Sequence, residues 1–300
     1  MSETRWLNCR LADIAAKLDD THAVSVPVIS RLLHKYHYRL RVNRKSIEPT
    51  ATHPERNLQF ENLRQLRAAH QAAGQPTLSI DTKKKELIGN FKNAGRSWGF
   101  QAEAVNVHDF PNDALGRAVP YGIYDLQHNR GSVYVGQSAD TAEFAVDNLV
   151  RWCETERVHL FPEATMLFLE ADSGGSNGAR GRLWKQQLQE KIADRFNLTV
   201  TVAHYPTGCS KWNPIEHRLF SEISKTWAGC PLRSYELFLK YLGDTKTQTG
   251  LMVAPTLVTK EYAKGLKVSD EVMSTLNLQA HAICPQWTYT IAPRTQPKTP

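Results

Sequence analysis

The sequence predicts an α/β protein in which helices flank a mixed β-sheet and a small helical module comes first. Two observations indicate this class. Short apolar runs typical of buried strands alternate with longer stretches of helical periodicity. Three acids recur at the ends of these elements: Asp81 and Asp172 each close an apolar run, and Glu216 lies at the start of a helical pattern. The hydrophobic share of 41% in 300 residues is sufficient for a packed core.

Residues 1–48 are predicted to form a partial helix-turn-helix module. Apolar residues repeat at helical spacing over 11–18, and Ser25 and Pro27 can start a second helix after a polar break. Apolar and basic residues alternate over 38–42, as they would in the short strand of a wing that follows a helix-turn-helix. Contact with DNA phosphates is predicted here, and a solvated basic face on a helical bundle is the alternative. The basic residues are Arg31, Lys35, Arg39, Arg41, Arg44 and Lys45, with no acid among them.

The order of the remaining elements predicts the topology of the sheet. Residues 49–76 form a linker and a lead-in helix, residues 77–228 the core, and residues 229–300 a C-terminal extension that remains unassigned beyond a helix at 234–242. The order β-ββ-α-β-α-β-α is that of an RNase H-like sheet. The core elements are predicted at 77–80, 122–136 (a hairpin), 141–157, 166–171, 181–196, 198–204 and 214–227.

The three acids can meet in such a sheet although they lie far apart in the chain. Each alone has a structural explanation, because an Asp after a strand commonly caps the next turn. Asn213–Glu216 likewise has the features of a capped helix start. Their places on the first strand, the fourth strand and the last helix favour a shared site. Carboxylates are the hard oxygen ligands that Mg²⁺ prefers, so the pattern predicts two-metal phosphoryl transfer.

Six motifs then occur in order along the chain. They are Ser79–Asn93 (SIDTKKKELIGNFKN), Val107–Phe110 (VHDF), Pro120–Asp125 (PYGIYD), Asp140–Ala145 (DTAEFA), Ala171–Gly178 (ADSGGSNG) and Ser210–Phe220 (SKWNPIEHRLF). On these motifs, over about residues 30–290, the chain resembles the DDE transposases of bacterial insertion sequences, in particular the ISAzo-thirteen-like family. Ser173 stands where that family usually has glycine. The Asn-Pro-Ile-Glu element is also similar to the third-acid motif of the mariner-like superfamily.

The resemblance implies a DDE transposase that cleaves insertion-sequence ends and transfers the strand into target DNA. Asp81, Asp172 and Glu216 would be the catalytic residues and would hold two Mg²⁺ or Mn²⁺ ions. The partners would be terminal-repeat DNA and target DNA, with the protein in a homodimer or higher synaptic assembly. A basic segment beside the first acid would contact DNA, as would Asn177; a solvated lysine run and a simple turn are the alternatives. The basic residues are Lys83, Lys84, Lys85, Lys92 and Arg96.

Composition excludes several other classes of protein. The formal charge of +7 and pI near 9.1 favour a polyanionic partner. The five cysteines are too scattered for a zinc site or a disulfide framework, and no apolar stretch is long enough to span a membrane. The glycine-rich segment at 174–178 lacks the Gly-Lys-Ser/Thr ending of a nucleotide-binding P-loop, which argues against ATP binding there. We expect a protein of the bacterial cytosol, associated with the nucleoid.

Two alternative functions remain open at this stage. The chain begins within what resembles the end of the family's DNA-binding region, so we expect a fragment, a frameshift product or a relic. It could then be an N-terminally truncated, catalytically inactive DNA-binding derivative that regulates transposition. An RNase H-like nuclease acting on RNA–DNA hybrids would share the acids, but it fits the N-terminal module poorly.

Overall fold

The computed structural model describes residues 9–19, 21–39, 55–98, 100–108 and 111–294, divided between two compact units of residues 1–52 and 53–300. The first unit contains helices α1 (Leu11–Leu18) and α2 (Val26–Lys35). Pro27 lies in the first turn of α2 as predicted, but the preceding Ser25 makes no side-chain capping bond. Arg31, Lys35 and Arg39 are exposed. Arg41, Arg44, Lys45 and most of the predicted wing lie outside the described residues, so the helix-turn-helix assignment stays a prediction.

The second unit contains a nine-stranded mixed sheet. Strands β1, β3, β4, β5 and β6 confirm the predicted strands, whereas short β2 and strands β7 to β9 lie where no strand was predicted. The strands are β1 (Thr77–Thr82), β2 (Glu86–Ile88), β3 (Gly116–Asp125), β4 (Arg130–Gly136), β5 (Met166–Ala171), β6 (Thr199–His204), β7 (Met252–Val258), β8 (Leu278–Ala280) and β9 (Thr288–Ile291).

The strand order confirms the RNase H-like class. It is β7-β4-β3-β1-β5-β6-β9-β8, with β2 paired to β3. Within the central five strands, β4, β3 and β1 are antiparallel, while β1, β5 and β6 are parallel. The unassigned C-terminal residues extend both edges of this sheet, because β7 adds parallel to β4 and β9 adds antiparallel to β6. Asp172 therefore follows the fifth strand of the chain, since β2 adds one strand to the expected count.

The helices cover both faces of the sheet. α4 and α6 pack on one face around Trp152 and Trp184, while α3, α8 and α9 lie on the other. Three of the described helical stretches contain a π-helical turn. Such turns are rare in proteins, and those that occur often lie at functional sites. No helix in the described part of the chain is both long and apolar enough to cross a membrane. The helical segments are α3 (Arg56–Ala72), α4 (Ala142–Trp152), a π turn (Cys153–Arg157), α5 (Val158–Leu160), α6 (Arg182–Leu188), a π turn (Gln189–Ala193), α7 (Asp194–Phe196), a π turn (Glu216–Phe220), α8 (Ser221–Thr226), α9 (Tyr235–Gly243) and α10 (Asp270–Ser274).

Candidate active site

A cleft of about 530 Å³ opens at the edge of the sheet where β1 and β5 end. Ile80 of β1 pairs with Ala171 of parallel β5, so the residues that follow, Asp81 and Asp172, lie side by side at this edge. Glu216 also lines the cleft, and the three predicted acids therefore share it. The lining residues are Asp81, Thr82, Lys83, Lys84, Lys85, Asp140, Asp172, Gly174, Gly175, Ser176 and Glu216.

The turn before Glu216 is bound directly to β1. The Ser79 hydroxyl donates to Oδ1 of Asn213, and the backbone N–H of Ile215 donates to Ser79 Oγ at 3.0 Å. Asn213 is fully buried and also donates to the carbonyl of Ile80 at 3.5 Å. Its side chain was considered as a helix cap, but these bonds show that it instead fastens the turn to the strand that carries Asp81.

Glycine at two strand positions allows the Glu216 helix to lie close to the sheet. A Cβ at Gly122, which pairs with Asp81, would lie 2.6 Å from the Phe220 ring, and one at Gly131 would lie 2.4 Å from Leu219. Both distances are too short for real atoms, so larger residues would push the helix outward. Glu216 begins the π-helical turn of this helix. Its position in the cleft thus depends on this close packing.

The acids oppose one another's ionisation. Burial raises the pKa of Asp81 to about 8, assisted by the negative charges of Asp172, Glu216 and Asp140. Burial likewise raises the pKa of Asp172, against a hydrogen bond from Asn213. The pKa of Glu216 is raised by burial and by the charge of Asp172, while Lys83 acts in the opposite direction. A bound cation would offset all three effects.

The donor set fits a hard divalent cation. Asp172 Oδ1 is buried and has no hydrogen-bond partner among the described residues, so it is an acceptor available to a ligand. The acids supply carboxylate oxygens from three separate elements, as Mg²⁺ and Mn²⁺ prefer. In the described ranges, no group of three or more His, Cys, Asp or Glu side chains lies close enough together to hold a metal ion as the side chains stand. The residues thus provide suitable donors in an open cleft.

The structure adds three residues that sequence reasoning did not assign to the site. The backbone N–H of Thr82 donates to Asp81 Oδ1 at 2.7 Å, and its hydroxyl donates to Asp140 Oδ1 at 3.1 Å. The Ser176 hydroxyl lies 3.4 Å from the same Thr82 oxygen. Thr82 therefore links Asp81 to a fourth acid. The signal was available, because Asp140 opens the DTAEFA motif, but nothing in its spacing placed it beside β1.

A buried hydrogen-bond chain supports the backbone of Asp172 from behind. Trp184 Nε1 donates to the Tyr289 hydroxyl at 2.8 Å, which lies 3.3 Å from His204 Nε2, and His204 Nδ1 lies 2.8 Å from the Asp172 carbonyl. Burial lowers the pKa of His204 to about 4, so the ring is neutral. Nδ1–H then donates to Asp172, and Nε2 accepts from Tyr289. The contacts of His204 therefore give it a supporting role behind Asp172.

The predicted DNA contacts are distributed unevenly around the cleft. Lys84 and Lys85 line it and are exposed, whereas Lys83 is half-buried and bonded to Glu86 at 2.5 Å. Lys92 and Arg96 are exposed but are not among the cleft-lining residues. Asn177 is buried, where its Oδ1 accepts from the Tyr121 hydroxyl at 3.0 Å. The structure therefore brings the lysines after Asp81 to the site and places Asn177 in the supporting turn.

The chain is similar to proteins of known family and known structure. The family model described as "Rhodopirellula transposase DDE domain" matches residues 1–293, which confirms the resemblance found in the motifs. No curated protein gives a significant match. One similar solved structure is "Mos1 transposase paired-end complex with left transposon end", at 16% identity and TM-score 0.47 over 81% of this chain and 72% of that chain. Another is "Crystal structure of the mariner Mos1 paired end complex with Mg", at 15% identity and TM-score 0.46 over 81% and 73%.

Proposed function

Because the chain belongs to the Rhodopirellula transposase DDE-domain family, we propose that it cleaves DNA at insertion-sequence ends and transfers the freed strand into target DNA. Asp81, Asp172 and Glu216 are the proposed catalytic residues and metal ligands. One observation carries the proposal: the three carboxylates come from three separate elements and line one cleft, where a buried oxygen of Asp172 has no hydrogen-bond partner in the part of the chain that the structure describes.

Both reactions are displacements at a phosphate, so one site can perform them in turn. Two bound Mg²⁺ or Mn²⁺ ions would activate the attacking hydroxyl and stabilise the charge on the leaving oxygen. Asp81 and Asp172 hold the common edge of the site, and Thr82 orients Asp81 through its backbone N–H. Lys84 and Lys85 bind the phosphates of the strand beside the scissile bond. The same positioned groups then serve cleavage by water and joining by a 3′ hydroxyl.

The proposed partners are terminal-repeat DNA and target DNA. The exposed side chains of Arg31, Lys35 and Arg39 on and after α2 support DNA contact by the N-terminal unit. Cleavage and joining at two element ends require that both ends be held together. We therefore propose a homodimer or a higher synaptic assembly as the active form.

The test is cleavage of the element's own end DNA by the purified chain with Mg²⁺ or Mn²⁺, beside an Asp172→Ala variant. Cleavage that requires the metal and is lost in the variant supports the proposal. A thermal melt gives a second readout, because a bound cation relieves carboxylate repulsion and should raise the Tm of the wild type more than that of the variant. Equal cleavage by both proteins, or no cleavage by either with DNA bound, would contradict the proposed catalytic role.

A further inference from the structure

A second cavity of about 620 Å³ adjoins the cleft. The two cavities share Lys85, Asp140, Gly175 and Ser176, so they form one continuous depression in the second unit. Its far wall is the loop at 263–268, between β7 and α10. We name this second cavity the side groove. Neither the motifs nor the family resemblance assigned a role to it.

The loop that forms the wall is anchored at both ends. At its start, the buried Tyr262 ring packs against Phe144 at 5.3 Å between centroids, and its hydroxyl donates to Asp147 at 3.0 Å. At its end, Arg182 donates to the Val268 carbonyl at 3.2 Å and pairs with Asp270 at 2.6 Å. Between these anchors the chain turns at Gly265, whose φ of +75° favours glycine. The loop tip is therefore held in place against the groove.

The three lysines on the side groove are not compensated, whereas Arg182, which also lines it, is paired with Asp270. Lys264 and Lys267 flank the turn, and both are exposed. Together with Lys85 they face the cavity without an ion-pair partner in the part of the chain that the structure describes. Asp140 is the one acid in the lining, and Thr82 binds its carboxylate on the side of the cleft. Uncompensated lysines along a groove are typical of a surface that tracks a nucleic-acid backbone.

We infer that the side groove binds the sugar-phosphate backbone of the DNA strand that continues from the cleft, with Lys264 and Lys267 as its phosphate contacts. The inference rests on the proposed function, since it takes the scissile phosphate to lie beside Asp81 and Asp172. Lys85, which lines both cavities, then contacts the strand where it passes from one into the other. The side groove increases the affinity of the protein for DNA and sets the path of the strand that leaves the cleft, and its residues take no part in the chemistry.

Lysine footprinting tests this on the wild-type chain without metal, so that no cleavage is needed. The chain is labelled with an amine-reactive reagent, free and with a saturating DNA duplex of roughly 30 base pairs, about three helical turns. We expect DNA to slow labelling of Lys264 and Lys267, while exposed Lys240 and Lys246, which line neither cavity, label equally in both states. If bound DNA protects Lys84 but neither Lys264 nor Lys267, the inference about the side groove is wrong and the proposed function still stands. Absence of protection throughout the cleft would overturn both.

A matched pair of double variants gives an independent measurement. Lys264→Ala/Lys267→Ala should weaken duplex binding at least about tenfold at moderate salt and reduce the slope of log K against log salt by about 1.8. Lys240→Ala/Lys246→Ala removes the same charge and should leave both values near wild type. Lys264→Arg/Lys267→Arg keeps both charges and should bind the duplex as the wild type does. Equal losses in the two alanine pairs would show a general charge effect and overturn the inference.

Discussion

Glu170 and Asp172 lie two residues apart at the end of β5, yet their surroundings are opposite. Glu170 is fully buried, and its carboxylate accepts two hydrogen bonds of 2.6 Å from Arg67 and a third of 2.8 Å from the Tyr205 hydroxyl. Asp172 has a buried Oδ1 without a hydrogen-bond partner among the described residues, and it lies next to the carboxyl groups of Asp81 and Glu216, whose ionisation it opposes. Arg67 thus neutralises the charge of Glu170, whereas Asp172 has no ion-pair partner among the described residues.

The difference separates a stabilising site from a reactive one on a single strand. A buried charge that is paired and hydrogen-bonded holds its elements together, here α3 against β5. Carboxylates held close without a counter-charge reduce stability and favour a bound cation. The comparison predicts that substitutions at the two positions affect different properties.

The largest effect is expected for Asp172→Asn, which keeps the shape of the side chain but removes the ligand charge. Cleavage should fall at least about a thousandfold, because several kcal/mol of metal-assisted stabilisation are lost. The free energy of unfolding should stay the same or rise, since repulsion with Asp81 and Glu216 is relieved. Single-turnover cleavage and urea unfolding measure the two quantities. A large loss of stability would show that Asp172 is a structural residue like Glu170.

Arg67→Met should reverse that pattern. It leaves Glu170 buried without a counter-charge, so the free energy of unfolding should fall by about 3–5 kcal/mol. Urea denaturation followed by tryptophan fluorescence measures the loss. The double variant Arg67→Met/Glu170→Gln is the control and should recover most of it, because no buried charge remains. Failure of the double variant to recover would mean that Arg67 acts by packing and not by charge.

An intermediate effect on both properties is expected at Asn213, which contacts both β1 and Asp172. Asn213→Ala leaves Ser79 without its acceptor and should cost about 1–3 kcal/mol of stability. It should also lower cleavage about ten- to hundredfold, because Asp172 and the Glu216 helix lose a shared support. Ser79→Ala removes one of these bonds and is the milder control. Wild-type cleavage by Asn213→Ala would contradict a positioning role.

The smallest effect is expected for Asp194, an acid that is paired with arginine as Glu170 is but is less deeply buried. Arg294 donates to Asp194 at 2.6 and 2.9 Å, and the pKa of Asp194 is lowered by these bonds although burial opposes them. Because the pKa of Asp194 is lower in the folded than in the unfolded state, the ion pair stabilises the protein fully above the unfolded-state pKa near 4. This stabilisation is lost as the pH falls through the folded-state pKa. Arg294→Met should therefore cost about 1 kcal/mol at neutral pH and nothing below the folded pKa. Unfolding measured from neutral pH to about pH 2 tests this sign, and a loss that persists in acid would contradict it.

Much of the architecture could be predicted because it depends on local patterns. The apolar runs of β1, β5 and β6 and the helical periodicity of α4 and α6 are properties of contiguous residues. β2 escaped detection because three residues are too short for a pattern. β7 and β8 were missed because they are edge strands with mixed burial, and β9 because four residues are too short for a clear pattern. The pairing of β7 with β4 and of β9 with β6 also joins residues far apart in sequence.

By itself the sequence determined the order of the core elements along the chain, the RNase H-like class of the sheet and the three acids at the ends of these elements. Only the tertiary structure decided that Asn213 binds β1 instead of capping a helix, that Asp140 joins the cleft through Thr82, and that Asn177 is buried. It also brought the lysines of the 263–268 loop beside the cleft. The physical reason is that periodicity and capping involve neighbours along the chain, whereas the environment of a carboxylate depends on residues that only folding brings near.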